Sequence, residues 1–347
     1  MATLRDVARL SGVSPATVSH VLHHRTRNMS AETRERVLKA VRSLGYRPGS
    51  VPRGGSNQST HTIGVFVWLD PEYPLRNTPY ATNILDGVLS AAMGSGWNVT
   101  LLNVGAWDNA QAQLRRFADG RCDGFLLIGA PPTIGISTAL RERGFPFVMI
   151  NSGSEDTQSS SVDIDNFTAA REITTYLLGQ GHRHIGFLIG EDQYENVNER
   201  QRGFEAAFAD AGFPLAPDAV LRPGSYVLEQ SRERLETMLT NRQKKLPSER
   251  ITALLCGNDR LAEITAQMLA EQGIRVPEDI SLAGFDDIRF AREMSPTLTT
   301  VRQPLYDLGA RATAILLDQI GAESVSETPT KEFLPHSIVY RESVSRR

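Results

Sequence analysis

Residues 3–22 read TLRDVARLSGVSPATVSHVL, and this stretch predicts two short helices joined by a tight turn. Thr3 and Asp6 have the spacing of a capping box at the start of the first helix. Gly12 suits the turn because glycine tolerates a positive φ, and Ser14 is a good cap for the second helix. The spacing of the small, glycine and apolar residues is that of a helix-turn-helix.

A third helix is predicted from Ser30 to Leu44, which completes a small all-α domain over residues 1–48. Residues 1–61 carry ten Arg or Lys and three Asp or Glu, a charge of +7, whereas the whole chain has a net charge of −3. A basic end on an otherwise acidic chain indicates that this end contacts a polyanion such as nucleic acid. A basic face that is merely solvated is the alternative.

The rest of the chain has a different pattern. Residues 49–61, GSVPRGGSNQSTH, form a Gly-, Ser- and Pro-rich linker. From residue 62 onward, short apolar runs such as TIGVFVW and GFLLIG alternate with amphipathic stretches, which predicts parallel sheets with helices on both faces. The strand series restarts near SVDIDN (161–166), so we expect two similar α/β halves with a cleft between them.

Several functional classes are disfavoured by the sequence. It contains no P-loop, no GxGxxG after the first strand and no GxSxG, so no enzymatic activity is expected. Cys122 and Cys256 lie beside apolar runs, and His182 and His184 have no ligand partners at suitable spacing, so neither a metal nor a cofactor is expected. No apolar run has membrane-spanning length and no signal pattern opens the chain, so a cytoplasmic location without a membrane partner is expected.

The first domain resembles a known family. The pieces DVA, GVS, ATVS, SAETRERV and LGYRP within residues 3–48 are similar to the DNA-binding domain of the LacI/GalR family of bacterial regulators. The resemblance implies that the second helix enters the major groove of a double-stranded operator, with Pro15, Ala16 and His20 reading the bases. It also implies phosphate contacts from Thr3, Ser14, Thr17, Ser19, His23 and Tyr46.

Two features depart from the family pattern. Family members usually have Arg and Asn where this chain has His20 and His23, so a different preferred operator is expected. They also usually form a short hinge helix that inserts a leucine into the minor groove. Here the leucine position is Gly55 and Pro52 lies mid-helix, and both residues disfavour a helix. We therefore expect weaker DNA bending.

The remaining chain resembles the periplasmic sugar-binding-protein fold that this family uses as its sensor, through segments such as VDIDNFTAAREITTYLLGQGHRHIGFLIG, ALLCGNDRLA and SPTLTTVRQP. The resemblance implies an all-α helix-turn-helix head followed by two doubly wound parallel-sheet subdomains. The expected boundaries are 62–161 plus 292–327 for the first subdomain, and 162–291 plus 328–347 for the second.

The resemblance also implies a small-molecule effector site in the cleft, formed by Trp68, Arg200, Tyr226, Asn258, Asp286 and Gln303. Arg, Asp and Asn side chains can bind vicinal hydroxyls in pairs, and aromatic faces cover a sugar ring, so a sugar-like effector is expected. A purine or nucleoside effector is the alternative. The competing structural interpretation is that Arg200 and Asp286, like Asp259 and Asp287, serve as helix caps or ion pairs.

The resulting expectation is a homodimeric, ligand-responsive repressor of carbohydrate-utilisation genes, whose dimer contacts involve the helix around residues 81–93. A sugar-binding transport protein is a second class, which the missing export signal and the helix-turn-helix oppose. An α/β enzyme with an appended DNA-binding head is a third, which the missing nucleotide motif opposes.

Overall fold

The computed structural model describes most of the chain. The described residues are 3–22, 29–44, 46, 59–68, 75, 78–104, 120–130, 135–152, 158–190, 194–222, 232, 236–237, 240, 250–322 and 328–347. The hinge positions Pro52 and Gly55 and the predicted site residues His23 and Tyr226 lie outside these ranges. None of the described helices is both long and apolar enough to cross a membrane.

The helices are α1 (Leu4–Ser11), α2 (Pro15–Leu22), α3 (Ala31–Ser43), α4 (Pro79–Gly94), α5 (Ile136–Glu142), α6 (Asn166–Gly179), α7 (Glu195–Asp210), α8 (Asp259–Glu271), α9 (Arg289–Glu293) and α10 (Leu305–Gly321). The strands are β1 (Thr62–Trp68), β2 (Asn98–Val104), β3 (Gly124–Ile128), β4 (Phe147–Ile150), β5 (Ser160–Asp163), β6 (Ile185–Leu188), β7 (Val220–Leu221), β8 (Ala253–Cys256), β9 (Ser281–Asp286), β10 (Thr299–Arg302), β11 (Lys331–Phe333) and β12 (Ser337–Val339).

Helices α1, α2 and α3 form the predicted helix-turn-helix head. Thr3 and Asp6 form the capping box at the start of α1, and Gly12 ends α1 with a φ of 67°. Ser14 Oγ accepts a hydrogen bond from the backbone N–H of Thr17 at 3.1 Å, as expected of a helix cap. Apolar residues from all three helices form one buried core. They are Val7, Ala8, Val18, Val21, Leu22, Val37, Ala40 and Val41.

The first lobe is built on a six-stranded sheet in the order β11-β5-β4-β3-β1-β2, with every pair parallel. Helices α4 and α10 pack against this sheet with apolar faces. They approach each other closely because each contributes a glycine to the crossing. A Cβ on Gly87 would lie 1.9 Å from the Tyr306 carbonyl oxygen, and one on Gly309 would lie 2.0 Å from that of Ile84.

The second lobe has a six-stranded sheet in the order β12-β10-β9-β8-β6-β7, in which only β12 runs antiparallel to its neighbour. Helices α6 and α7 cover one face with a core that includes Phe187, Phe204, Phe208 and Phe285. Helix α8 covers the other face. The predicted architecture of two doubly wound α/β halves is therefore confirmed.

Among the described residues the chain passes between the lobes at three places, and the last two of these differ from the predicted boundaries. Residues 299–302 were expected in the first half, but β10 pairs with β9 and β12 of the second lobe. Residues 331–333 were expected in the second half, but β11 pairs with β5 of the first lobe. Strand pairing over long sequence separations decides these memberships, and a local hydrophobic pattern does not encode the partner strand.

The head and the end of the linker both contact the first lobe. Ser59 Oγ and Thr60 Oγ1 donate to the same carboxylate oxygen, Asp123 Oδ2, at 2.6 and 2.9 Å. One guanidinium nitrogen of Arg34, on α3, donates to both carboxylate oxygens of Glu142, on α5, at 3.0 and 3.1 Å. The residues just before β1 are thus attached to the sheet that begins the first lobe.

Candidate functional site

The candidate nucleic-acid interface is the outer face of α2. Ser14, Pro15, Ala16 and His20 are exposed there, whereas Thr17 is half-buried. The hydroxyls of Ser14 and Thr17 lie 2.8 Å apart. Ser19, on the same helix, is also half-buried. The fold therefore brings the predicted contact residues of α2 together at one surface.

Two further predicted contacts, Thr3 and Tyr46, lie outside α2. Thr3 is exposed, but its hydroxyl already donates to Asp6 Oδ2 at 2.6 Å as part of the cap of α1. Tyr46 packs against the core of the head, and its partial burial raises the pKa of its hydroxyl. Both residues therefore have a structural role in addition to any contact with phosphate.

The second candidate site is the region where the carboxyl ends of the two sheets meet, called the cleft below, and Arg200 lies there. Arg200, on α7, is only 5% exposed. Its Nε donates to Asn166 Oδ1 at 2.9 Å, and its Nη1 donates to the carbonyl oxygen of Gly257 at 2.6 Å. The guanidinium carbon lies 3.8 Å from the centre of the Phe285 ring. Arg200 is thus held at the carboxyl end of β8 by fixed partners.

Asp286 and Gln303 begin a hydrogen-bond chain that crosses from the second lobe to the first. Gln303 Nε2 donates to Asp286 Oδ1 at 2.6 Å, and Asn151 Nδ2 donates to Gln303 Oε1 at 3.0 Å. Asn151 Nδ2 also donates to the hydroxyl oxygen of Tyr80, on α4. Asp286 ends β9, Gln303 follows β10 and Asn151 follows β4, so these hydrogen bonds connect the ends of both sheets.

One polar atom in this series of hydrogen bonds has no partner among the described residues. Asn151 is 1% exposed, and its Oδ1 is buried without a hydrogen bond from any residue that the structure describes. A buried acceptor without a donor is costly in free energy, by about 1–3 kcal/mol. The backbone of Asn151 has a φ of 54°, which is uncommon for a residue other than glycine. This orphan acceptor indicates a place where a donor from a bound molecule would be stabilised.

The carboxyl groups around the cleft have unusual proton affinities. Burial raises the pKa of Asp286 to about 7, although Arg200 and the hydrogen bond from Gln303 act in the opposite direction. Burial and the neighbouring Asp286 also raise the pKa of Asp259 well above its ordinary value. Burial, followed by the charges of Asp286 and Asp163, raises the pKa of the Tyr80 hydroxyl. Asp286 is therefore poised to change its charge near neutral pH.

Asp259 supports the cleft from behind and does not line it. Its two carboxylate oxygens accept hydrogen bonds from the hydroxyl of Thr300 at 2.6 Å and from the backbone N–H of Ile288 at 2.9 Å. A Cβ on Gly284 would lie 2.2 Å from Asp259 Oδ1, so this carboxylate occupies space that only a glycine leaves open.

The other predicted cleft residues have mixed outcomes. Asn258 is half-buried, and its Oδ1 accepts from the backbone N–H of Leu261 at 2.8 Å, which makes it the N-cap of α8. Trp68 is the last residue of β1, and the structure describes its backbone alone. Tyr226 falls outside the described residues.

The sequence analysis missed Tyr80, Asn151 and Asn166. Asn151 directly follows the apolar run FVMI, and Asn166 follows β5 in DIDN, so both stand where polar residues leave strand ends. That position is a usable signal for a cleft residue in a parallel α/β fold. Tyr80 lies in a helix from the other side of the cleft, and no local pattern marks it.

His182, for which no metal-binding role is expected, has a structural role. Its ring nitrogens lie 2.9 Å from Thr252 Oγ1 and 3.1 Å from the carbonyl oxygen of Ser345. Burial lowers the pKa of His182 to about 4, which keeps the ring neutral. Within the residues that the structure describes, no group of three or more potential metal ligands is found.

Comparison with known proteins agrees with this geometry. Residues 3–49 match the family model of bacterial regulatory proteins of the lacI family, and residues 174–344 match that of a periplasmic binding protein-like domain. The HTH-type transcriptional repressor PurR of Vibrio parahaemolyticus is 34% identical over 349 residues, which span 100% of this chain and 99% of the relative. A PurR repressor from Pasteurella multocida is 33% identical, with 100% of both chains covered.

Solved structures share the same fold. The transcriptional regulator CelR in complex with cellobiose superimposes with a TM-score of 0.71 and 28% identity, and the match covers 99% of this chain and 100% of CelR. The lac repressor dimer bound to operator and the anti-inducer ONPF gives a TM-score of 0.70 at 24% identity, with 99% of each chain covered, and is evidence for the fold alone. The chain therefore belongs to the lacI family of bacterial regulatory proteins, as a ligand-responsive DNA-binding repressor and not an enzyme.

Proposed function

We propose that this repressor binds operator DNA as a homodimer and that a sugar-like effector in the cleft controls this binding. The observation that carries the effector proposal is the chain of side chains Asp286, Gln303, Asn151 and Tyr80 across the cleft. Because it connects both lobes, a ligand that replaces some of these hydrogen bonds alters the contact between the lobes.

The polar groups of the cleft suit hydroxyls better than a single charged group. A hydroxyl donates one hydrogen bond and accepts others. The cleft has acceptors at Asp286 and at the orphan Asn151 Oδ1, and donors at Arg200 and at the amide of Gln303. Neighbouring hydroxyls on a ring can use both kinds of group. The 28% identical relative CelR, solved with cellobiose, supports the same ligand class.

A purine-like effector is the second candidate, and a separate observation favours it. The full-length relatives named above, at 33–34% identity, are PurR repressors. Purine ring N–H groups can also donate to Asn151 Oδ1 and Asp286, and purine ring nitrogens can accept from Arg200. The two candidates therefore share the cleft and differ in the ligand alone.

Calorimetric titration of the full chain with cellobiose, ribose, hypoxanthine and guanine separates the two candidates. We expect a sugar to bind, with affinity lost in Arg200→Ala and Asp286→Asn. The matched controls Arg171→Ala and Asp210→Asn remove a surface ion pair of the same lobe, 2.6 Å between Nε and Oδ2, and should bind as the wild type does. Binding of a purine alone, with the same losses, would replace the sugar by the second candidate.

For the DNA-binding face, we propose that Pro15, Ala16 and His20 read bases, and that Thr3, Ser14, Thr17, Ser19, His23 and Tyr46 contact phosphates. Selection of bound sequences from a random DNA library, followed by anisotropy titration, tests this assignment. His20→Ala should relax the preference at one base position, at a cost of about 1–3 kcal/mol. Ser14→Ala should weaken binding to all sequences alike. Loss of affinity without a change of sequence preference in His20→Ala would contradict the base-reading role.

A further inference from the structure

Asp286 and Asp287 are two consecutive residues with an unfavourable backbone conformation. Their φ angles are 124° and 57°, in the region that residues other than glycine rarely adopt. Such a conformation persists only when the surrounding structure holds it in place. Since Asp286 is the cleft carboxylate of the proposed function, whatever holds this turn also sets the direction of that carboxylate.

The side chain of Asp287 is held by three arginines. Arg302 Nε and Arg292 Nη2 donate to Asp287 Oδ2 at 2.7 and 3.1 Å, and Arg341 Nη2 donates to Oδ1 at 2.5 Å. The Asp287 side chain is fully buried. Burial by itself raises the pKa of Asp287, but the hydrogen bonds from the three arginines outweigh this effect and lower it. The carboxylate is therefore ionised, and its bonds are charge-assisted and strong.

The three arginines come from separate elements, which makes the contact rigid. Arg292 lies on α9, Arg302 ends β10 and Arg341 follows β12. Arg341 is tied down further, because its Nη1 donates to the carbonyl oxygen of Leu298 at 2.7 Å. We call Asp287 and these three arginines the arginine clasp.

The clasp is coupled to the cleft through two pairs of adjacent residues. Asp286 is the register partner of Arg302 in the parallel β9–β10 pair. The next residue on each strand continues the contact: Asp287 accepts from Arg302, and Gln303 donates to Asp286 at 2.6 Å. The contact between Asp287 and Arg302 therefore belongs to the arginine clasp, whereas the contact between Asp286 and Gln303 belongs to the cleft.

We propose that the arginine clasp is a positioning device, which fixes the strained turn and thereby sets effector affinity through Asp286 without touching the effector. This inference rests on the proposed function for its effect on affinity. Its effect on the Asp286 carboxyl group is independent of any effector.

The first test measures the pKa of Asp286 by carboxyl-carbon NMR of the full chain, labelled at aspartate. The signal of Asp286 is identified by its absence from the spectrum of Asp286→Asn. In the wild type the pKa lies at about 7. In Asp287→Asn the pKa of Asp286 should fall by about one unit or more, because three arginines lose their neutralising anion and the released carboxyl group gains access to solvent. Asparagine tolerates a positive φ, so this variant keeps the turn accessible. An unchanged titration would overturn the inference.

The second test uses a thermodynamic cycle with cellobiose, ribose, hypoxanthine or guanine, whichever binds the wild type. Asp287→Asn should weaken binding about tenfold or more, and it should have little further effect in an Asp286→Asn background. Arg302→Lys should show a smaller loss of the same kind. Arg289→Ala is the matched control, since this exposed arginine of α9 pairs with Glu293 and not with Asp287. Additive losses in the cycle would overturn the inference.

The two tests also separate this inference from the proposed function. If none of the four compounds binds the wild type, the proposed effector class fails, whereas the NMR titration still decides on the clasp. If Asp287→Asn does not fold, Arg302→Lys keeps both the positive charge and the Asp287 carboxylate but removes the hydrogen bond from Arg302 Nε. A fall in the Asp286 pKa in that variant supports the clasp, and an unchanged pKa contradicts it.

Discussion

At the scale of the residue, the carboxyl group of Asp286 connects stability with pH. Its pKa in the folded chain, about 7, exceeds the ordinary value of 3.8 because the group is buried. The folded chain therefore binds this proton more tightly than the unfolded chain does. The stabilisation is complete below about pH 4 and is lost as the pH rises through about 7.

Asp286→Asn should remove this part of the pH dependence. Between about pH 8 and about pH 5.5, the free energy of unfolding of the wild type should gain about 2 kcal/mol from Asp286, and the variant should lack that gain. Denaturant unfolding of both chains at the two pH values measures it. Asp259, whose pKa is also raised, is present in both chains. Its contribution to the pH dependence therefore cancels in the comparison when its pKa is the same in both. Equal pH dependence of the two chains would contradict a protonated Asp286.

How far single residues could be predicted depends on how local their interactions are. The capping box of Thr3 and Asp6 and the turn at Gly12 were predicted correctly, since each involves neighbours within four residues. The helix cap formed by Asn258 is equally local, but the sequence analysis gives this residue a role in effector binding and does not identify the cap. Asn151 was missed because its meaning arises from Gln303, 152 residues away.

At the scale of the element, the crossing of α6 and α7 places Arg200 beside Asn166. The crossing is tight because Gly203 has no side chain. A Cβ there would lie 2.2 Å from the carbonyl oxygen of Phe167 and 3.0 Å from the backbone nitrogen of Arg171. Backbone atoms of a helix cannot yield at small cost, so an added methyl group must push the two helices apart.

Gly203→Ala should therefore lower the free energy of unfolding by about 1–3 kcal/mol and weaken effector binding, because Arg200 moves away from its partners. Gly179→Ala is the matched control. This residue ends α6 and has open space around the added Cβ, so the change should be neutral or stabilise the chain by up to about 1 kcal/mol. Thermal unfolding and calorimetric titration of both variants measure the difference. Similar behaviour of the two variants would exclude a tight crossing.

The elements themselves were largely predictable, and their partners were not. Apolar runs correctly marked β1, β3 and β4, which are continuous in hydrophobicity because both faces are covered. Strand β11 has the sequence KEF and is partly exposed, so its pattern gives no sign of the lobe to which it belongs. Its pairing with β5 is decided by the path of the whole chain.

At the scale of the whole molecule, we expect the linker to be one of the routes from the cleft to the head, and Asp123 binds the end of that linker. Asp123→Ala removes the acceptor for Ser59 and Thr60. We expect the coupling free energy between effector and operator to fall by about 1 kcal/mol, while effector affinity without DNA stays the same. Operator titrations with and without bound effector measure the coupling. Asp123→Asn keeps a carbonyl acceptor and should retain more of it; undiminished coupling in Asp123→Ala would contradict the anchor.

The proposed homodimer is the other question at this scale, and exposed apolar side chains of the first lobe support it. Leu89 and Met93, on the outer face of α4, are 42% and 76% exposed, and Leu101, on the edge strand β2, is 52% exposed. Leu89 and Met93 lie one turn apart on α4, and neighbouring exposed apolar side chains are a candidate contact surface. A symmetric pair joined here would present two heads to the two halves of an operator.

Met93→Glu combined with Leu89→Glu should therefore yield a monomer, because the charges would be buried without partners in the pair. Operator affinity should then fall by about 100-fold or more, since the second head no longer binds as part of the same molecule. Sedimentation velocity and anisotropy titration measure the two effects. Phe333→Glu is the matched control: Phe333 is 56% exposed on β11, at the opposite edge of the same sheet, and this variant should remain a dimer. If the double variant stays dimeric, another surface joins the subunits; if it is monomeric with unchanged affinity, the two heads do not bind the operator together.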